Sequence, residues 1–141
     1  MIIPSTVTVM LERDAFSRWL GVQLLSVEPG RCTLRMRVRD EMVNGFGVAH
    51  GGVAFSLADS AMAFACNAGE HVTVAIDNTI SYPAPIRTGD ELTAVAEEES
   101  TTSRLAFYRV TIRRQDDVVA ALFRGTVYRT RTQHSATATH D

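Results

Sequence analysis

Residues 50–69 read His-Gly-Gly-Val-Ala-Phe-Ser-Leu-Ala-Asp-Ser-Ala-Met-Ala-Phe-Ala-Cys-Asn-Ala-Gly, an apolar run that opens on two glycines and carries one charge, Asp59, at its middle. Small and apolar residues at nearly every helical position predict a helix buried over most of its surface. A carboxylate on such a helix loses hydration, which is costly unless it is paired or hydrogen-bonded. The run therefore asks for a fold that wraps one central helix, and it singles out Asp59 as a residue with a task. Its hydrophobicity comes largely from alanine, and it holds Asp59 and Asn67, so it is not expected to span a bilayer.

Upstream, Val9, Met10, Ala15, Phe16, Trp19 and Leu20 recur at helical spacing, which predicts a short amphipathic helix over about residues 7–20 with Gly21 as its stop. Residues 22–27 are strand-like, and Glu28-Pro29-Gly30 turns the chain. Cys32, Leu34, Met36 and Val38 then alternate with Thr33, Arg35, Arg37 and Arg39, the pattern of a strand with one buried and one wet face. Beyond the long helix, residues 72–82 are rich in β-branched side chains and end at Pro83-Ala84-Pro85, which predicts an edge strand or a bulge. Strand-like runs follow at 91–99, 105–114 and 118–129, separated by hairpin-like turns at Ser100-Thr101-Thr102-Ser103 and Gln115-Asp116-Asp117.

Four consecutive strands without an intervening helix argue for an α+β fold, an antiparallel sheet with helices on one face. At 141 residues the chain fits a single domain, placed at 1–129, with 130–141 expected to be a disordered tail in which His134 and His140 are solvated. A helix apolar on nearly every side needs a second covering surface besides the sheet, and another subunit is the obvious candidate. The net charge of −2 leaves no electrostatic footprint for nucleic acid. Cys32 and Cys66 lack any Cys-x-x-Cys or Cys/His pairing, which argues against a zinc site and for a reducing compartment; with no secretory signal in view, a cytoplasmic protein is expected.

The helix start at His50-Gly51-Gly52 offers unpaired backbone N–H groups, and glycine lets a ligand approach the main chain. Such a donor can hold a carbonyl oxygen and stabilise it further as an oxyanion forms. Asp59 can supply a base or nucleophile toward that carbonyl, because apolar surroundings raise its basicity. Eight residues at a rise of 1.5 Å separate Gly51 from Asp59 by about 12 Å, too far for both to touch one reacting carbon. Two such helices lying antiparallel across a two-fold axis remove the difficulty, since Gly51 of one subunit then meets Asp59 of the other. Asn44-Gly45-Phe46-Gly47 reads as a turn whose Asn44 amide suits a water or a substrate carbonyl, and His50 is placed to cap the helix or hold the loop. Each of these features also has a plain structural reading: a turn, a capping histidine, close helix packing.

Taken together, Asn44-Gly45, His50-Gly51-Gly52 and Leu57-Ala58-Asp59 resemble the hotdog-fold acyl-CoA thioesterases, specifically the phenylacetate-pathway (PaaI-type) branch. The likeness extends through Ala65-Cys66-Asn67, Asn78-Thr79-Ile80-Ser81-Tyr82, Thr88-Gly89-Asp90 and Val119-Ala120-Ala121-Leu122-Phe123-Arg124-Gly125, covering residues 21–129. The resemblance implies a long helix wrapped by a curved antiparallel sheet, paired into homodimers that often associate into tetramers. It implies hydrolysis of an acyl-CoA, aryl-acetyl groups such as phenylacetyl or hydroxyphenylacetyl being the expected class, with no metal and no cofactor beyond the substrate's own CoA. By similarity, Gly51 N–H polarises the thioester, Asp59 of the neighbouring subunit is base or nucleophile, and Asn44 and His50 orient water or thioester. Phe46, Val48, Met62 and Phe64 are candidate acyl-pocket residues, and Arg104, Arg124, Arg87 and Arg129 are candidates for the CoA phosphates. An animal branch of the fold carries a helpful serine near the position of Ala75, which offers no hydroxyl. Two alternatives share the fold: a non-catalytic acyl-CoA-binding or regulatory domain, and a hydratase or dehydratase. Asp59 counts against the first, and the motif spacing against the second.

Overall fold

The computed structural model describes residues 2–134. Two short helices, α1 (Ser5–Arg13) and α2 (Ala15–Leu20), lead into β1 (Gln23–Glu28) and β2 (Arg31–Arg37). A 3-10 turn at Asp40–Met42 and a tight loop precede α3 (Gly51–Cys66), after which β3 (His71–Ser81), β4 (Glu91–Thr101), β5 (Leu105–Arg113) and β6 (Val119–Gln133) follow without another long helix. All strands lie in one antiparallel sheet of order β1-β2-β4-β5-β6-β3. Every strand touches α3, and register shifts within β1, β3, β4 and β5 supply the local bends that let the sheet wrap it. This is the α+β hotdog arrangement expected from the sequence.

The strand alternation appears as burial. Cys32, Leu34 and Met36 of β2 and Leu92, Ala94 and Ala96 of β4 point inward onto Leu57, Ala58 and Ala61 of α3, while the arginines of β2 face water. Phe55 of α3 meets Phe123 of β6 edge to face, with ring centroids 5.5 Å apart.

Three expectations change. The helix expected over 7–20 is two, because the Asp14 carboxylate accepts from Ser17 N (2.9 Å) and Ser17 Oγ (2.6 Å) and so caps a new helix where the first would have continued. Gly21 ends α2 with φ of +82°, as its position suggested. The expected tail begins too early, since β6 runs through Gln133, which pairs with His71, and His134 is buried with its N–H donating to Glu70 O. Thr, Arg and Gln can extend a ladder without the apolar alternation that flags a strand; residues 135–141, including His140, lie outside the described residues. Finally, no residue of α3 is exposed even in one chain, for α2 covers the face the sheet leaves open. A buried chain of hydroxyls ties the two helices, with Ser17 Oγ lying 2.7 Å from Ser60 Oγ. The second covering surface inferred from composition is therefore partly intramolecular.

Candidate active site

The helix start is built by the loop before it. Asn44 Oδ1 accepts from Phe46 N (2.9 Å) and Val48 N (3.4 Å), Gly47 takes φ of +78°, and Asn44 N donates to Val48 O, so the chain doubles back within five residues. The left-handed position is Gly47 and not the Gly45 of the Asn-Gly pair. His50 then caps α3: its Nδ1 accepts from Gly52 N at 2.9 Å, which puts the ring proton on Nε2. Val53 N donates to His50 O, so of the first three α3 donors the Gly51 N–H is the one left facing outward.

Tyr82, at the end of β3, closes this corner. Its hydroxyl donates to Gly51 O at 2.8 Å, and a Cβ on residue 51 would stand 3.1 Å from that hydroxyl. An alanine at position 51 would therefore push the Tyr82 hydroxyl back by a few tenths of an ångström, so the close approach favours glycine here. Partial burial raises the phenol's pKa, which keeps it a donor. Gly51, Val48, Tyr82 and Ile86 line a cleft of about 380 Å³. On the other flank, Phe16, Trp19, Val43 and Val53 line a groove of about 330 Å³ that reaches His50 and Gly52. Phe16 and Trp19 stack with centroids 6.1 Å apart, and Arg39 sits over Trp19 at 5.0 Å.

Asp59 lies two turns along the same continuous helix, half-buried, on the side that faces β3. Burial pushes its pKa above the ordinary carboxylate value, a hydrogen bond from Asn78 Nδ2 at 3.3 Å draws it part of the way back, and the nearby Asp14 carboxylate adds to the rise. A carboxylate so placed is a stronger base than an exposed one.

The structure brings Asn44, His50 and Gly51 to one corner and leaves Asp59 along the helix, as the spacing required. Of the expected acyl-pocket residues it brings Val48 to the cleft beside Gly51, and it leaves Phe46, Met62 and Phe64 elsewhere. Phe46 is 93% exposed at the loop tip, and Met62 and Phe64 are core residues at 1% and 0%. Arg104 sits at the β4–β5 turn, where its Nη1 donates to Arg129 O; Arg129 in turn serves Thr101, Thr102 and Ser103, and Arg124 pairs with Glu99 at 2.8 Å. Asn78, Tyr82, Phe16 and Trp19 were read from sequence as strand and helix positions and not as site residues. Cys32 and Cys66 are pushed up to about 12 by burial and are no nucleophiles at neutral pH. Among the described residues, no three His, Cys, Asp or Glu side chains converge as a metal site would require.

Comparison with known proteins bears on the family and the fold. The sequence profile of the thioesterase superfamily matches residues 46–121. Acyl-coenzyme A thioesterase PaaI of Escherichia coli is 38% identical over 120 residues, 85% of this chain and 86% of that protein. Human acyl-coenzyme A thioesterase 13 is 32% identical over 107 residues, 74% of this chain and 76% of that one. The solved structure of the E. coli PaaI protein, from the phenylacetic acid degradation operon, superposes with a TM-score of 0.88 at 34% identity, covering 94% of this chain and 99% of that one.

Proposed function

The chain belongs to the thioesterase superfamily and has the hotdog fold, and from that premise we propose that it hydrolyses aryl-acetyl-CoA thioesters at composite sites, each shared by two subunits. The observation that carries the reading is a half-buried carboxylate and an outward N–H on one continuous helix, eight residues apart, so that they act on one carbonyl only when contributed by different chains. The association is supported by β3, an edge strand with one side unpaired, whose Val74 and Ile76 are 47% and 57% exposed. An edge of this length is a ready site for pairing with a second copy. A homodimer is the minimal unit, and a dimer of dimers is the expected larger form.

In the proposed reaction the thioester oxygen rests on Gly51 N–H. Asp59 of the neighbouring subunit either removes a proton from water as it attacks the carbonyl carbon, or attacks that carbon itself to form an anhydride that water then opens. Negative charge collects on the carbonyl oxygen, where the Gly51 N–H and the positive end of α3 stabilise it. The C–S bond breaks, CoA leaves as thiolate and takes up a proton, and the free acid remains. His50 Nε2–H and Asn44 Nδ2 are the donors beside this corner that can orient water or thioester, their other polar atoms being committed to the loop and cap. The groove floored by Phe16 and Trp19 supports an aromatic acyl group, and Phe46 and Arg104 are proposed as substrate contacts completed by the dimer. The two unpaired cysteines fit a reducing compartment, the cytoplasm.

The test is release of CoA thiol from aryl-acetyl, benzoyl and straight-chain acyl-CoAs by the wild type and by Asp59→Asn. The aryl-acetyl substrates should be fastest, and the variant should lose at least about a hundredfold in rate on them. Wild-type turnover by Asp59→Asn would end the assignment of Asp59.

A further inference from the structure

Asn78 stands on β3 directly opposite Gly125 of β6. Its amide occupies a slot that exists because residue 125 has no side chain: a Cβ there would lie 2.8 Å from Asn78 Oδ1 and would collide with Met62 Sδ of α3. Within the slot the amide is turned one way. Nδ2 faces Asp59 Oδ1 at 3.3 Å, and Oδ1 is buried among Gly125 and Met62 without a hydrogen-bond partner. A buried acceptor left unpaired is costly, so the orientation needs a reason. The reverse orientation would aim a carbonyl oxygen at the carboxylate and an NH2 group at a thioether. That arrangement is repulsive when Asp59 is ionised and favourable only when Asp59 carries a proton. The orphaned Oδ1 is what an amide turned toward an anion leaves behind.

We infer that Asn78 is a positioning residue for thioester hydrolysis: its amide fixes the direction of the Asp59 carboxylate and holds it in the ionised form that the reaction uses. The inference rests on the reading of Asp59 as the catalytic carboxylate. Asn78 itself touches no reacting atom. The other titratable group that acts on Asp59 is Asp14, at the cap of α2, while Asp59 itself raises the pKa of Cys66, further along α3. Both remain the same in every variant below. Burial works against the charge and Asn78 works for it, so removing the amide raises the proton affinity of Asp59.

The experiment replaces Asn78 by Leu, which keeps the branched shape without the polar atoms, and by Ala, which removes the amide without crowding Met62. Each variant is read by the pH dependence of kcat/KM for CoA-thiol release and by a 13C titration of the Asp59 carboxyl. The acid limb should move up by about one pH unit in both, a tenfold change in proton affinity, with the plateau rate changed far less than the rate on the limb. The carboxyl titration should move with it. A limb and a titration that stay where the wild type has them, with the rate lowered equally at all pH, would overturn the proposal and leave Asn78 a packing residue. Failure of both variants to fold would do the same. Asp59→Asn separates the two readings: if it retains full activity the catalytic assignment fails, while the carboxyl titration in the Asn78 variants still reports whether the amide governs Asp59.

Discussion

Asn67 ends α3 with a clip onto the start of β3, and cutting it gives a number that the structure can supply. Its Oδ1 accepts from Thr73 N (2.8 Å), and its Nδ2 donates to Thr73 O (3.0 Å) and to Ala63 O (2.9 Å). The amide thus pairs with both backbone groups of Thr73 as a neighbouring strand would, on an edge strand that has no neighbour there. Asn67 is 5% exposed and Thr73 8%, so Asn67→Ala leaves a buried N–H and a buried C=O without their partner. Ala63 O keeps the bond from Asn67 N and is not orphaned. Each orphan costs about 1–3 kcal/mol, and the adjoining recess of about 440 Å³ gives water a route to them, so the low end applies: about 2–3 kcal/mol in all. For a chain of this size that corresponds to a melting temperature lower by about 8–12 °C. Urea unfolding followed by circular dichroism measures it, at one fixed protein concentration because association contributes to apparent stability. Asn67→Asp is the sharper control: it keeps an acceptor for Thr73 N–H but sets carboxylate oxygen against two carbonyls, and at pH 7 it should cost at least as much as alanine. A loss below about 0.5 kcal/mol for alanine, or a well-tolerated aspartate, would refute the clip as drawn.

The pKa of Asp59 has a stability consequence with a definite sign. Because the folded state holds this proton more tightly than the unfolded chain does, the stability contributed by Asp59 is fully present below the ordinary carboxylate range and is lost as pH rises through the raised pKa. Asp59→Asn should therefore melt higher than wild type at pH 7–8, with the difference closing by about pH 3; parallel melting curves across that range would contradict the burial argument. At the helix start, Gly51→Ala should destabilise the wild type by about 1 kcal/mol through its contact with the Tyr82 hydroxyl, yet be neutral or stabilising in a Tyr82→Ala background, since alanine is the better helix former. Additive effects in that double-mutant cycle would show that Tyr82 does not constrain residue 51.

What could be read in the chain and what could not divides along physical lines. Periodicity made β2, β4, β5 and α3 legible, because burial of one face writes itself into every second residue of a strand and into nearly every residue of an enclosed helix. The Gly51–Asp59 relation was legible too, since both lie on one helix whose rise is fixed. Asn78 and Tyr82 were not. Each is an ordinary polar residue on a strand, and its role depends on the sheet register that sets β3 beside β6 and on the side of the strand that faces α3. The break at Asp14 escaped for a different reason: a side-chain cap outweighed an unbroken apolar spacing, a local competition that hydrophobic pattern does not record.

Burial by α2 changes the ground on which a second subunit is inferred. Composition alone made the partner a matter of cover: an all-apolar helix needed another wall. In the structure Ser17, Leu20 and their neighbours supply much of that wall, and no α3 residue is left exposed. The need for cover no longer demands a dimer. What supports a dimer now is the proposed sharing of one carbonyl by Gly51 and Asp59, because α3 is continuous from Gly51 to Cys66 and nothing folds Asp59 back toward the Gly51 N–H of its own chain. A test built on burial, such as introducing charge on the outer face of α2, would therefore say little about the partner. Mixing subunits speaks to it directly, since heterodimers of inactive Asp59→Ala with inactive Gly51→Pro regain one intact site only if the two halves come from different chains.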